Sequence, residues 1–139
     1  MSKYQNEVME RRSRLSPKGS PVYNCCQSVV SVFAEDLGYD EEAAVKTASL
    51  FGGGMQMGSV CGAITGGLMA LGLAGIDDPK TVGAYYRKIR ENHDGLMNCK
   101  DLLRTSLERG EDKLTHCNAI IRECTGYVEE VLREKGKIE

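Results

Sequence analysis

Between Thr47 and Ile76 the chain runs for 30 residues without a charged side chain. This stretch constrains the fold more than any other feature. About 20 apolar residues are enough to cross a bilayer, so a membrane span has to be considered first. Nine of the 25 residues from Gly52 to Ile76 are glycine, strongly apolar side chains are few, and no Trp or Tyr marks either end. A buried central helix fits better, and no membrane span is expected. Gly58, Gly62 and Gly66 recur every four residues, as do Ala63 and Gly67. On a helix that spacing makes a smooth face on which another backbone can rest. Each mid-helix glycine costs about 1 kcal/mol relative to alanine, so the close approach has a use.

The other segments also read as helix. Met1 to Leu15 is polar, a loosely docked arm or a short helix. Ser20-Pro21 looks like a helix start, with a Ser cap and Pro in the first turn. From there Val22, Cys26, Val29, Val30, Phe33 and Leu37 share a face, and Gly38 closes the helix. Asp40-Glu41-Glu42 opens a second helix that Gly52-Gly53-Gly54 stops. The third is expected from near Gly58-Ser59 to about Ala74. Asp78-Pro79 caps a fourth, to about Asn92, and Cys99 opens a short apolar piece. The last runs from about Glu111 to Glu134, with Leu114, Cys117, Ile121, Cys124, Val128 and Val131 spaced by three and four. The expectation is an all-α fold, a single compact bundle of five or six helices. Residues 1–19 form the arm or short helix and 20–139 the helical domain.

The chain has 139 residues, which suits one domain. Its net charge of −2 provides no basic field for nucleic acid, so no nucleic-acid partner is expected. The polar start has no apolar core of a signal peptide, which points to a cytoplasmic protein. In a reducing compartment the six cysteines read as catalytic, metal-binding or buried, rather than as structural disulfides.

Cys61 is the first candidate for chemistry. If a helix begins at Gly58 or Ser59, its sulfur lies in the first turn, where unpaired N–H groups and the dipole favour thiolate. Cys25 and Cys26 point about 100° apart on a helix. That places Cys26 in the apolar core and leaves Cys25 at its rim, free for chemistry. Cys117 and Cys124 are two turns apart, too far for a disulfide within one helix. Either can face another helix or fill the core. His93 and His116 lie in polar surroundings and read as solvated. Met55, Met57 and Met69 read as core filler rather than soft ligands. No C-x-x-C, ferredoxin-type run, haem-attachment motif, P-loop or nucleophile elbow is present.

Asn24-Cys25 followed by Gln27-Ser28-Val29, then Cys61-Gly62-Ala63-Ile64-Thr65-Gly66, then Cys99 and Cys117, resembles the redox-active family written C_GCAxxG_C_C. The resemblance covers about Ser20 to Leu132. CGAxxG alone is a weak pattern; order, spacing and total length together make it specific. Carried over, the four family cysteines match Cys25, Cys61, Cys99 and Cys117. Cys117 is preferred to Cys124 because Ile120, Ile121, Val128 and Leu132 follow at the family's apolar spacing. Cys26 and Cys124 fall where the family often has small residues.

The resemblance implies a redox role. The first expectation is thiol–disulfide chemistry, with Cys61 attacking and Cys25, Cys99 or Cys117 resolving the mixed disulfide. Such a thiol-dependent oxidoreductase requires no cofactor, and its partner is a redox protein or a small thiol or disulfide. The alternative is a metal module in which the same four cysteines hold zinc or an iron–sulfur cluster. A third reading is a helical structural protein with inert core cysteines, a homodimer in which the Met1–Leu15 arm exchanges between subunits.

Overall fold

In the computed structural model, which describes residues 1–139, the first core helix starts at Cys25 and not at Ser20. The Asn24 side chain accepts from the Gln27 N–H at 2.8 Å, and Gln27 reaches back to the Asn24 N–H at 2.9 Å. This reciprocal cap outcompetes the Ser20-Pro21 start, because it satisfies two orphan donors at once. Pro21 instead pairs with Leu15 in an isolated β-bridge, and Val22 is exposed. Asn24→Ala removes the cap and the side-chain bond to the Ser49 carbonyl. The expected loss is about 1 kcal/mol or more in denaturant unfolding.

The chain forms α1 (Lys3–Arg12), α2 (Cys25–Ala34), α3 (Glu41–Thr47), α4 (Gly62–Leu73), α5 (Pro79–Asn92), α6 (Cys99–Glu108) and α7 (Lys113–Glu134). A 3-10 turn, Glu35–Leu37, follows α2, and a π turn, Gly54–Gly58, precedes α4. The fold is all-helical, with seven α-helices rather than five or six. No helix is long and apolar enough to cross a membrane.

The extra helix is α1. Tyr4, Val8 and Arg12 are buried at intervals of four, and Tyr4 stacks on Phe33 with ring centroids 4.7 Å apart. The segment is therefore docked against α2 and α7, not a loose arm. Its polarity in sequence hides a contact stripe only three residues long.

The most extensive helix pair is α2 with α4. Gly66 permits it: a methyl there would lie 2.6 Å from the Cys26 carbonyl oxygen and 3.0 Å from Val29 Cβ. The uncharged stretch is thus buried through its small residues. The long α7 closes the other side, packing Ile120, Ile121, Val128 and Leu132 into the same core as Val29, Phe33, Ile64, Leu71 and Ile89.

The third helix begins at Gly62, not at Gly58 or Ser59. Gly53, Gly54, Met55, Gln56 and Gly58 all adopt left-handed backbone, φ 57 to 71°, and such residues cannot extend a right-handed helix. Met55 and Met57 consequently point outward, with Met57 70% exposed, which corrects the core-filler expectation for both. Met69 does pack against the second core cluster, its sulfur 3.7 Å from that of Cys26.

Candidate functional site

Three helix N-termini carry three of the cysteines. The Asn24 cap makes Cys25 the first residue of α2. Cys61 is the residue that caps α4, and Cys99 is the first residue of α6. Two backbone bonds tie their segments together: Cys61 N–H donates to the Met97 carbonyl at 2.9 Å, and Cys99 N–H donates to the Ser59 carbonyl at 2.7 Å. They flank an isolated antiparallel bridge between Val60 and Asn98. Segments 38 residues apart in sequence are thereby locked in register. Cys117, in the second turn of α7, completes the set.

Cys25, Cys61, Cys99 and Cys117 all line one cleft of about 460 Å³, a size typical of small-ligand sites. All four are free thiols. Cys25, Cys99 and Cys117 are half-buried, while Cys61 is only 4% exposed. Gly62 explains the Cys-Gly pair. A methyl at that position would collide with the Cys25 sulfur and come within 2.9 Å of the Phe51 carbonyl oxygen. The absent side chain lets the Cys25 sulfur lie directly beside the residue that follows Cys61.

The electrostatics correct one expectation. The Ala63 and Ile64 N–H groups at the start of α4 do reach the Cys61 sulfur and favour thiolate. Burial outweighs them, and with a further contribution from Cys25 it pushes the thiol up to about 12. Cys61 is therefore a thiol at neutral pH, not the thiolate expected from its place at a helix start. Desolvation also raises Cys99 and Cys117, and in each a charge on Cys25 is the next cause. Cys25 is thus within electrostatic reach of the other three.

The cleft also holds basic side chains, two of which, Arg12 and Lys113, did not stand out in the sequence. Arg12 is 8% exposed, with Nε donating to Asn118 Oδ1 at 2.7 Å and Nη1 to the Tyr23 carbonyl at 2.9 Å. Burial lowers its pKa, and charge on Cys117 and Cys25 opposes that shift. Lys113 and His116 line the same walls. His116 is buried, which corrects its reading as a solvated residue, and burial lowers its pKa. Its spacing four and eight residues before Ile120 and Cys124 was the available signal. His93 lies outside this cleft, with Nε2 2.8 Å from Glu123 Oε1.

Cys26 and Cys124 are fully buried in the two core clusters and do not line the cleft. Burial raises both thiols, Cys26 to about 12 and Cys124 well above the ordinary value. No three His, Cys, Asp or Glu side chains are grouped as a metal site requires. The four cleft cysteines share a wall without forming a coordination shell.

No curated protein and no solved structure matches the chain. A family model does match residues 23–131, more than three-quarters of the chain, from the residue before the Asn24 cap to the last turn of α7. The chain therefore belongs to the family described as putative redox-active protein (C_GCAxxG_C_C).

Proposed function

We propose that the protein is a cytoplasmic thiol–disulfide oxidoreductase whose cysteines act in the α2–α4–α6–α7 cleft. The observation that carries this reading is the placement of Cys25, Cys61, Cys99 and Cys117 along one cleft of ligand size. The roles of Cys25 and Cys61 are best exchanged relative to the sequence-based expectation. Cys25 is the more accessible of the two and is the first residue of α2 at the cleft wall, so an incoming disulfide meets it before the buried Cys61. Cys61, buried and protonated at neutral pH, suits the second step, in which a neighbouring sulfur is attacked intramolecularly.

The chemistry balances without a cofactor. The Cys25 thiolate attacks a substrate disulfide, forming a mixed disulfide and releasing one substrate thiolate. Cys61 then gives up its proton and attacks the Cys25 sulfur, and the second substrate thiolate leaves. Two protein thiols are oxidised and one disulfide is reduced to two thiols, so a dithiol reductant must restore the protein.

Peptide mass mapping after mild oxidation with diamide tests the reading. A Cys25–Cys61 disulfide is expected in the native protein, and Cys61→Ser is expected to accumulate a mixed disulfide on Cys25. If no disulfide forms among the four cleft cysteines, or if Cys25→Ser leaves oxidation unchanged, the reading fails. Because Cys61 is protonated at neutral pH, its resolving step is expected to accelerate up to tenfold per pH unit through the alkaline range, with no plateau near pH 9.

A further inference from the structure

The cleft is cationic in a chain whose net charge is −2. Its charged lining residues are Arg12 and Lys113, with no Asp or Glu, while burial disfavours the charged form of His116. Glu10, two residues before Arg12, pairs with Arg14 at 3.0 Å, and the carboxylates that precede Lys113, Glu111 and Asp112, are held by other groups. Glu111 accepts from Ser106 Oγ at 2.8 Å and pairs with Arg109 at 3.0 Å, and Asp112 accepts from the Thr115 N–H at 2.7 Å. Arg12 is the informative residue. A buried guanidinium normally meets a carboxylate, because an uncompensated buried charge is costly. Here Arg12 forms no ion pair, and its acceptors are a neutral amide and a backbone carbonyl. The α2, α4 and α6 N-termini, which carry Cys25, Cys61 and Cys99, bring their positive dipole ends to the same cleft. Arg12 comes from α1, before residue 23, where the family match begins.

Building on the thiol reading above, we propose that this cleft recognises a small anionic disulfide, whose carboxylate docks on Arg12 with Lys113 at the rim and whose sulfurs are presented to Cys25. The cleft volume of about 460 Å³ fits a low-molecular-weight compound. The missing countercharge for Arg12 is supplied by the ligand. Arg12 is a binding residue here; bond making and breaking remain with Cys25 and Cys61, as balanced above.

Three disulfides of nearly equal size test the proposal: 3,3′-dithiodipropionate (dianion), 2-hydroxyethyl disulfide (neutral) and cystamine (dication). Each rate of Cys25 oxidation at neutral pH is divided by that of the same disulfide with free 2-mercaptoethanol, which removes intrinsic leaving-group differences. The dianion is expected to react at least about tenfold faster than the neutral compound, and the dication slower still. Arg12→Gln is expected to erase the ranking, read as the dianion-to-neutral rate ratio, in which any common change in Cys25 reactivity cancels, and Arg12→Lys to keep part of it. Lys113→Glu, on an exposed residue that does not endanger folding, is expected to slow the dianion selectively. Equal normalised rates, or a preference for the dication, would overturn the anion site and leave the redox reading standing.

If none of the disulfides oxidises a cleft thiol, the redox reading fails, and binding of the unreactive thioether dianion 3,3′-thiodipropionate decides the site on its own. Calorimetric binding that Arg12→Gln or Lys113→Glu weakens about tenfold would uphold it. Absence of binding would end it.

Discussion

Gly66→Ala is expected to destabilise the protein by about 2 kcal/mol, although alanine is the better helix former by roughly 1 kcal/mol. The new methyl would sit 2.6 Å from the Cys26 carbonyl oxygen, 3.2 Å from Cys26 Cα and 3.0 Å from Val29 Cβ. Two of those atoms are backbone in the first turn of α2 and cannot rotate away. The helices must separate, and α2 with α4 is the most extensive helix pair in the fold. Gly72→Ala in the same helix provides the opposite expectation. Nothing lies within 4 Å of a methyl at that position, so helix propensity acts alone and the change stabilises by up to about 1 kcal/mol. Urea unfolding of the pair is the measurement. If the two variants shift in the same direction, α4 does not pack on α2 through its glycine face. Gly62→Ala carries a second consequence, because its methyl would displace the Cys25 sulfur, and it is expected to impair Cys25–Cys61 pairing as well as stability.

The second large effect is loss of stability at alkaline pH under reducing conditions. In the folded chain, burial holds Cys26 and Cys61 up to about 12 against an ordinary thiol value of 9.0, and it raises Cys124 well above that value. The unfolded chain has no such burial, so its thiols ionise first. Below pH 9 both states hold these protons and the stabilisation is fully present. From pH 9 upward the unfolded state binds fewer protons than the native state, so stability falls with pH until the folded thiols themselves ionise near 12. Each deeply buried thiol contributes a slope on the order of 1 kcal/mol per pH unit in that window. Tyr85, fully enclosed and also raised by burial, adds to the fall. Denaturant midpoints from neutral pH to about pH 11 should show the decline. Cys124→Ala should flatten it, because that thiol then no longer distinguishes the two states. A midpoint independent of pH across the window would mean that these cysteines are not buried.

Several features were legible in the sequence because their causes are local. The Asp78-Pro79 start and the Asn92 end of α5 follow from capping and propensity, and the structure places the helix at Pro79–Asn92. The apolar spacing along Lys113–Glu134 follows from helix periodicity; Ile121, Cys124 and Val128 are buried there, while Leu114 at the start of the stripe is exposed. The core position of Cys26 was readable for the same reason, whereas periodicity left Cys124 open between the core and a neighbouring helix, and packing placed it in the core. The start of α2 was misread because two competing caps lay within a few residues, and only the side-chain geometry of Asn24 and Gln27 ranks them.

What the sequence by itself determined is the class of the molecule: an all-helical chain with a glycine-rich central helix and a spaced set of cysteines. Helix periodicity and small-residue spacing act over a few turns and leave their mark on the sequence. The tertiary structure decided which of the six cysteines meet. Cys61 and Cys99 reach the same cleft because the Ser59–Cys61 and Met97–Cys99 backbones pair, a long-range contact that no local pattern encodes. It also decided their ionisation. A helix start alone argues for thiolate at Cys61, but desolvation by surrounding helices is the larger energy and keeps it protonated. The cationic lining depends on assembly in the same way. Arg12 belongs to a segment whose sequence reads as a polar arm, and it becomes part of the cleft only once α1 docks against α2 and α7.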